Sequence, residues 1–243
     1  MNISNFLKID NTELAYQLFE TQMLGGDVDK KYRYPINKIL KECTPKSDSY
    51  PDRQQVLLKI IELIGEPKTP KQRFIVAKTY AWSRAEYRDK AIYYLELYLN
   101  NSLYKEAYIH IKFNNNDTPE KGKLHHLSEM YGYLGKAYIG KYDFDKALSV
   151  YEYMIDKFPE DPPAYMGKCE TLIKQNELSK CYNWLLDCKR LPYYQLNKQY
   201  GKTEEENWFH FTINRLFKDV EEKIKKGYVY RPRKNNKRIN YDE

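Results

Sequence analysis

The apolar residues between Ser128 and Asp161 recur at the spacing of two short amphipathic helices. In the first helix, four residues at i, i+3, i+4 and i+7 share one face: Tyr131, Leu134, Gly135 and Tyr138. In the second helix, three residues do so: Ala147, Tyr151 and Met154. Between the helices, Gly140 suits a helix C-terminus and Asp143 suits an N-cap. The pattern predicts a helical hairpin in which the small residues Gly135 and Ala147 allow the two backbones to approach closely.

This hairpin resembles the tetratricopeptide repeat (TPR), in which a Leu-Gly pair, aromatic residues, Ala and Pro recur with a period of about 34 residues. A second unit follows one period later, where small residues remain small and large residues remain large. The matching residues are Tyr165, Cys169, Leu172, Cys181 and Cys188. Asp161, followed by two prolines, predicts the start of this unit. The resemblance implies an all-α solenoid of TPR-like helical hairpins.

A degenerate unit with the same spacing lies upstream. Thr69 and Pro70 start a predicted helix, and Ala91, Leu95 and Tyr98 repeat the spacing of the hairpin's second helix. A helical insertion predicted at about 103–113, followed by a loop at 114–119, separates this unit from the hairpin at Ser128.

Helical segments on both sides of the repeats are expected to act as caps, because the end repeats of a solenoid need their apolar surfaces covered. N-terminal helices are predicted from Asp10, from Pro35 and over Val56–Ile64. Near the C-terminus, Thr203 and Glu206 match a capping box. The helix that it opens has an apolar side, which is alternatively a partner-binding surface: Trp208, Phe209, Ile213, Leu216, Phe217, Val220 and Ile224.

These segments predict four regions along the chain. We expect an N-terminal helical cap over 1–68 and TPR-like repeats over 69–202, with an insertion near 103–127. A C-terminal capping helix over 203–226 and a basic, flexible tail over 227–243 follow.

Charge and composition indicate in which cellular compartment the protein lies. The formal net charge is +7, and the residues from Lys223 onward carry about +6 of it. No apolar run approaches the ~18 residues of a membrane span, and the N-terminus lacks the apolar region of a signal peptide. The four cysteines lack metal-site spacing. We therefore expect a cytoplasmic protein with free thiols and no membrane association.

Motifs for catalysis are missing from the sequence. It has no Gly-rich phosphate loop, no Gly-x-Ser-x-Gly and no His-Glu-x-x-His. His125 and Glu129 lie one helical turn apart, but no third residue has metal-ligand spacing. We expect no catalytic residue, no metal and no cofactor; an enzyme would instead present a closed pocket with converging ionisable groups.

The TPR resemblance implies a protein-binding function, because members of that family mostly hold a peptide or helix along the first helix of each hairpin. By the resemblance, ten residues line this groove: Arg73, Val76, Tyr80, Glu129, Lys136, Ile139, Met166, Glu170, Ile173 and Lys174. The Lys and Asn set with which some members clamp a chaperone's C-terminal carboxylate is not present as a pattern. We expect a non-catalytic adaptor or regulator that recognises an amphipathic peptide or helix of another protein.

The basic tail indicates an alternative function, since two tyrosines alternate with basic residues there. Lys and Arg neutralise phosphates, and tyrosine stacks on unpaired bases. Seven residues carry this alternative: Lys225, Lys226, Tyr228, Tyr230, Arg231, Arg233 and Lys234. A nucleic-acid-binding regulator is therefore the alternative hypothesis, beside a tail that binds an acidic protein surface and a tail that is only solvated.

Overall fold

A computed structural model describes residues 10–24, 27–45, 50–100, 119–192, 194–195 and 208–232. Within these ranges the regular elements are ten α-helices and a short 3-10 helix, with no strand. The prediction of an all-α protein is confirmed. The chain divides into two compact units, Met1–Asp143 and Phe144–Glu243, and the division falls inside the region predicted to contain the repeats.

The N-terminal unit contains six of the α-helices. Their bounds are Asn11–Leu24 (α1), Arg33–Glu42 (α2), Arg53–Ile64 (α3), Pro70–Trp82 (α4), Arg88–Asn100 (α5) and Pro119–Lys141 (α6). Polar side chains fix several starts: the Asp10 carboxylate accepts the Thr12 N–H, and Thr69 with Gln72 forms a capping box at α4. The 3-10 helix Ala85–Tyr87 joins α4 to α5.

Helix α4 lies at the centre of this unit. It packs against α1, α3, α5 and α6, so seven consecutive residues from Phe74 to Tyr80 are buried. A helix surrounded on several sides no longer has a single apolar face. The predicted spacing on α5 is confirmed as its buried side, since Ala91, Leu95 and Tyr98 are all buried.

The C-terminal unit contains the other four described α-helices: Phe144–Lys157 (α7), Pro162–Lys174 (α8), Leu178–Cys188 (α9) and Trp208–Lys225 (α10). Helix α8 packs against α7, α9 and α10, and α10 also packs against α9. Where α8 meets α9, the sulfur atoms of Cys169 and Cys181 are 3.1 Å apart and both residues are fully buried. Their small side chains permit this close approach, as the sequence predicted for these two positions.

Backbone geometry at the ends of α6 and α8 recurs after 34 residues. Tyr142 and Asn176 follow these helices with φ of 63° and 64°. The next residue, Asp143 or Glu177, donates its N–H to the carbonyl of Tyr138 or Leu172, over 3.1 and 2.9 Å. This is the Schellman arrangement of a helix C-terminus.

Burial in the helices that follow, α7 and α9, recurs with the same spacing. On α7 the buried residues are Ala147, Tyr151 and Met154. On α9 they are Cys181, Leu185 and Cys188, each 34 residues later. Burial and backbone geometry therefore repeat together with a period of 34 residues.

Several predicted boundaries need correction. Helix α6 begins at Pro119, inside the predicted insertion, because proline is favoured at the first helical position; residues 101–118 lie outside the described part of the chain. Helix α6 also continues through Gly140, and Tyr142 takes the left-handed conformation instead. Helix α8 begins directly after Asp161, as predicted, but the Asp161 side chain makes no cap hydrogen bond. The two prolines that follow have no N–H, and the Ala164 N–H bonds to the Asp161 backbone carbonyl instead.

The apolar side predicted for α10 is broader than the surface that the helix buries. Phe209, Ile213 and Val220 are buried, whereas Trp208 and Ile224 are 47% and 41% exposed. Thr203 and Glu206, the predicted capping box, lie outside the described residues.

Candidate functional site

A buried lysine joins α4 to α6 in the N-terminal unit. The Lys78 ammonium lies 2.9 Å from a Glu129 carboxylate oxygen, and its side chain is 6% exposed. Three aromatic rings, those of Phe19, Phe74 and Trp82, have centroids 5.3–5.9 Å from the ammonium. Cation–π attraction and the ion pair together stabilise the buried charge.

Glu129 also accepts a hydrogen bond from the Tyr133 hydroxyl at 2.9 Å. Burial, with the Glu129 charge beside it, raises the pKa of that hydroxyl. Both carboxylate oxygens of Glu129 thus bind side chains of this chain, although the side chain keeps 33% of its exposure. Its observed role is structural, and it has little freedom to contact a partner.

A basic cleft of about 250 Å³ opens near the 3-10 helix between α4 and α5. Four alanines contribute the apolar part of its lining. Its polar lining consists of Tyr80, Ser83, Arg84, Arg88, Tyr133 and Lys136. We refer to these six residues as the basic cleft. Two predicted groove residues, Tyr80 and Lys136, line this cleft, together with Arg84 and Arg88, which were not predicted.

Arg88 is fixed against the C-terminal end of α6. Its guanidinium donates to the Gly140 carbonyl at 2.5 Å. A Cβ built on Gly140 would lie only 2.3 Å from the Arg88 Nε atom, so glycine leaves room for the arginine. This close approach explains Gly140 better than the helix end that the sequence pattern suggested.

Other predicted groove residues of this unit are less available. Val76 and Ile139 are 1% and 3% exposed, because α4 and α6 turn these faces inward. Arg73 is partly buried, and its Nε atom has no hydrogen-bond partner within the described residues. Lys136 is exposed.

In the C-terminal unit, four predicted groove residues share α8. Met166 is 37% exposed and its sulfur lies 3.9 Å from the Arg215 guanidinium. Glu170 and Lys174 form an ion pair at 2.7 Å, and Ile173 is partly buried. This surface combines an accessible thioether with paired charges.

The first residues of the tail are bound to this unit. Asn176 accepts the Tyr230 N–H at 2.6 Å and donates to the Tyr230 carbonyl at 3.4 Å. The Lys174 ammonium lies 5.8 Å from the Tyr230 ring centroid, and Lys223 lies 5.8 Å from that of Tyr228. The backbone of Tyr230 is thus anchored to the end of α8.

The remaining tail residues of the nucleic-acid hypothesis are less informative. Lys225 and Lys226 pair with glutamates one turn earlier in α10, and Arg231 is exposed. Arg233 and Lys234 lie outside the described residues.

Across the described ranges, no three His, Cys, Asp or Glu side chains are grouped so that they could hold a metal ion. All four cysteines are free and buried, and burial raises the pKa of Cys188 to about 12. His126 is buried with its Nε2 atom 2.8 Å from the Tyr98 hydroxyl. No helix in the described part of the chain is long and apolar enough to cross a bilayer.

Sequence reasoning missed Lys78, Arg84 and Arg88. Lys78 interrupts a run of apolar residues on α4, which is an available signal for a buried, paired charge. Arg84 and Arg88 flank a helix break, and only the fold brings Lys136 to them. Comparison with protein-family models, curated proteins and solved structures found no match to this chain.

Proposed function

We propose that this chain is a cytoplasmic, non-catalytic adaptor or regulator with TPR-like helical hairpins, which binds a peptide or helix of another protein. The observation that carries the proposal is the 34-residue recurrence of helix ends and buried positions. Solenoids built from such repeats form extended concave surfaces that are suited to binding other proteins.

Accessible side chains on the first helix of each hairpin support the location of binding. Lys136 on α6 is exposed, and α8 presents Met166 and Glu170. Exposed methionine adapts its shape to apolar partners, and the surrounding charges suit an amphipathic segment. Val76 and Ile139 are buried and have no part in the proposed surface.

Affinity capture with the full chain as bait, followed by titration with the purified captured protein, tests this proposal. Reversing charge on the first helices with Lys136→Glu and Lys174→Glu is expected to weaken binding at least tenfold. The matched control reverses two exposed lysines of the second helices, Lys146→Glu and Lys180→Glu, and should leave binding within twofold.

Both double variants should melt close to the original protein, since surface substitutions of this kind change stability little. Capture of no protein, or equal loss of binding in both double variants, would contradict the proposal.

A further inference from the structure

The basic cleft collects three cations, Arg84, Arg88 and Lys136, and no carboxylate lines it. None of the three makes an ion pair within the described ranges of the chain. Three nearby carboxylates are bound to other side chains: Glu129 to Lys78 and Tyr133, Asp89 to Lys141, and Glu96 to Tyr138. Glu86, on the 3-10 helix, does not line the cleft. Since the chain before Lys223 is near neutral overall, this concentration of unpaired positive charge favours an anionic ligand.

The protein itself holds the Arg88 side chain in position at the cleft. The Gly140 carbonyl holds its guanidinium on one side, which leaves further N–H donors of the planar fork. Arginine in a fixed orientation binds carboxylates through paired hydrogen bonds. Arg84 and Lys136 are exposed and can adjust around an anion.

The size of the cleft indicates a part of a larger molecule. Its volume of about 250 Å³ falls below the roughly 300–1,000 Å³ of pockets that enclose a drug-sized ligand. The cleft is therefore of a size to hold one or two side chains of a peptide.

Aromatic contacts favour a peptide over a nucleic acid. The Tyr80 ring stacks on Tyr94 with centroids 5.4 Å apart and has Lys90 5.6 Å away. The Tyr133 ring meets Trp82 edge-on at 6.1 Å. Single-stranded nucleic acids need accessible ring faces for base stacking, and the Tyr80 ring, stacked on Tyr94, is only 7% exposed.

We propose that the basic cleft binds side-chain carboxylates of an acidic peptide segment in the partner protein. Arg88 supplies a preset fork, and Arg84 and Lys136 complete the positive lining. This inference rests on the proposed protein-binding function and adds the chemistry of the segment that is recognised.

Titration of the full chain with a short Glu-rich peptide tests this inference. The peptide is acetylated and amidated at its ends, so that only side chains supply carboxylates, and its Gln counterpart is the comparison. The Glu peptide should bind, the Gln peptide should not, and added salt should weaken binding because exposed charges are screened.

The Arg84→Glu and Lys136→Glu double variant should weaken binding of the Glu peptide at least tenfold. The control, Lys38→Glu with Lys68→Glu, makes the same charge change at exposed lysines outside the cleft and should change affinity less than threefold. Equal effects of the two double variants would overturn the inference.

Two further ligands complete the test. A phosphoserine version of the Gln peptide that binds more tightly than the Glu peptide would overturn the assignment to carboxylates. Single-stranded RNA that displaces the Glu peptide would overturn the assignment to a peptide.

The captured partner separates this inference from the proposed function. If the partner binds the Arg84→Glu and Lys136→Glu variant as well as the original chain, the cleft assignment fails while protein binding stands. If no protein is captured at all, the proposed function fails with it.

Discussion

Gly167 on α8 offers a sharp test of the packing between α7 and α8. A Cβ added there would lie 2.1 Å from two ring carbons of Tyr151. Carbon atoms normally pack about 3.5–4.0 Å apart, so the ring would have to move by about 1.4 Å. Tyr151 is only 1% exposed, which leaves its ring little space to move.

The expected cost of Gly167→Ala combines two opposing effects. Overpacking a dense core costs typically about 1–3 kcal/mol, and the required displacement places this site near the upper end. Alanine within a helix is favoured over glycine by about 1 kcal/mol. The free energy of unfolding should therefore fall by about 2 kcal/mol, which urea denaturation followed by circular dichroism measures.

Two comparisons establish the cause. Gly140→Ala is the same change in another helix, but its Cβ would meet the end of the long Arg88 side chain. That guanidinium can turn away only by giving up its bond to the Gly140 carbonyl, so a loss of about 1 kcal/mol and the helix gain of about 1 kcal/mol should nearly cancel. In a Tyr151→Leu background the ring is gone, and Gly167→Ala should cost nothing. Equal losses for Gly167→Ala and Gly140→Ala, or an unchanged loss without the Tyr151 ring, would refute the packing described here.

Three further predictions concern the buried charge, pH and the tail. Lys78→Ala should lower the free energy of unfolding by about 2–4 kcal/mol, because it removes packing and leaves Glu129 without its ion pair. The control, Lys38→Ala, should change it by less than about 0.5 kcal/mol in the same urea assay. Equal effects of the two substitutions would contradict a structural role for Lys78. Burial raises the pKa of five side chains in the folded protein: Tyr98, Tyr133, Tyr138, Tyr151 and Cys188. The unfolded chain loses these protons at about pH 8.5 for Cys and about pH 10 for Tyr, so the free energy of unfolding should fall as pH rises above about 9. A melting temperature that stays constant to pH 11 would be inconsistent with burial of these groups. Asn176→Gly keeps the left-handed backbone but removes both bonds to Tyr230, so hydrogen exchange at the Tyr230 amide should accelerate at unchanged melting temperature; unaltered exchange would show that Asn176 does not hold the tail.

Local sequence patterns predicted the helices well where a side chain decides the structure locally. Thr69 followed by Pro70 marks the start of α4, and the spacing of Ala147, Tyr151 and Met154 marks the buried side of α7. Cys169 and Cys181 were correctly expected at a close helix crossing. These features depend on neighbours in sequence or on a fixed period.

Features that depend on contacts distant in sequence were not predictable in the same way. Gly140 looked like a helix end, and only the position of Arg88 shows why glycine is needed there. The TPR resemblance implied that Val76 and Ile139 line an open groove, but helices on several sides bury them. The basic cleft likewise requires α6 to bring Lys136 beside the Arg84–Arg88 corner, which no local spacing encodes.

The claim that partners bind along the first helix of each hairpin is tested most directly by site-specific photo-crosslinking. A photoreactive residue replaces Lys136 or Met166 on the first helices, and Lys146 or Lys180 on the second helices, in the full chain mixed with its captured partner. Adducts with the partner from positions 136 and 166, and none from 146 and 180, are the predicted result. Adducts from 146 and 180 alone would contradict the claim.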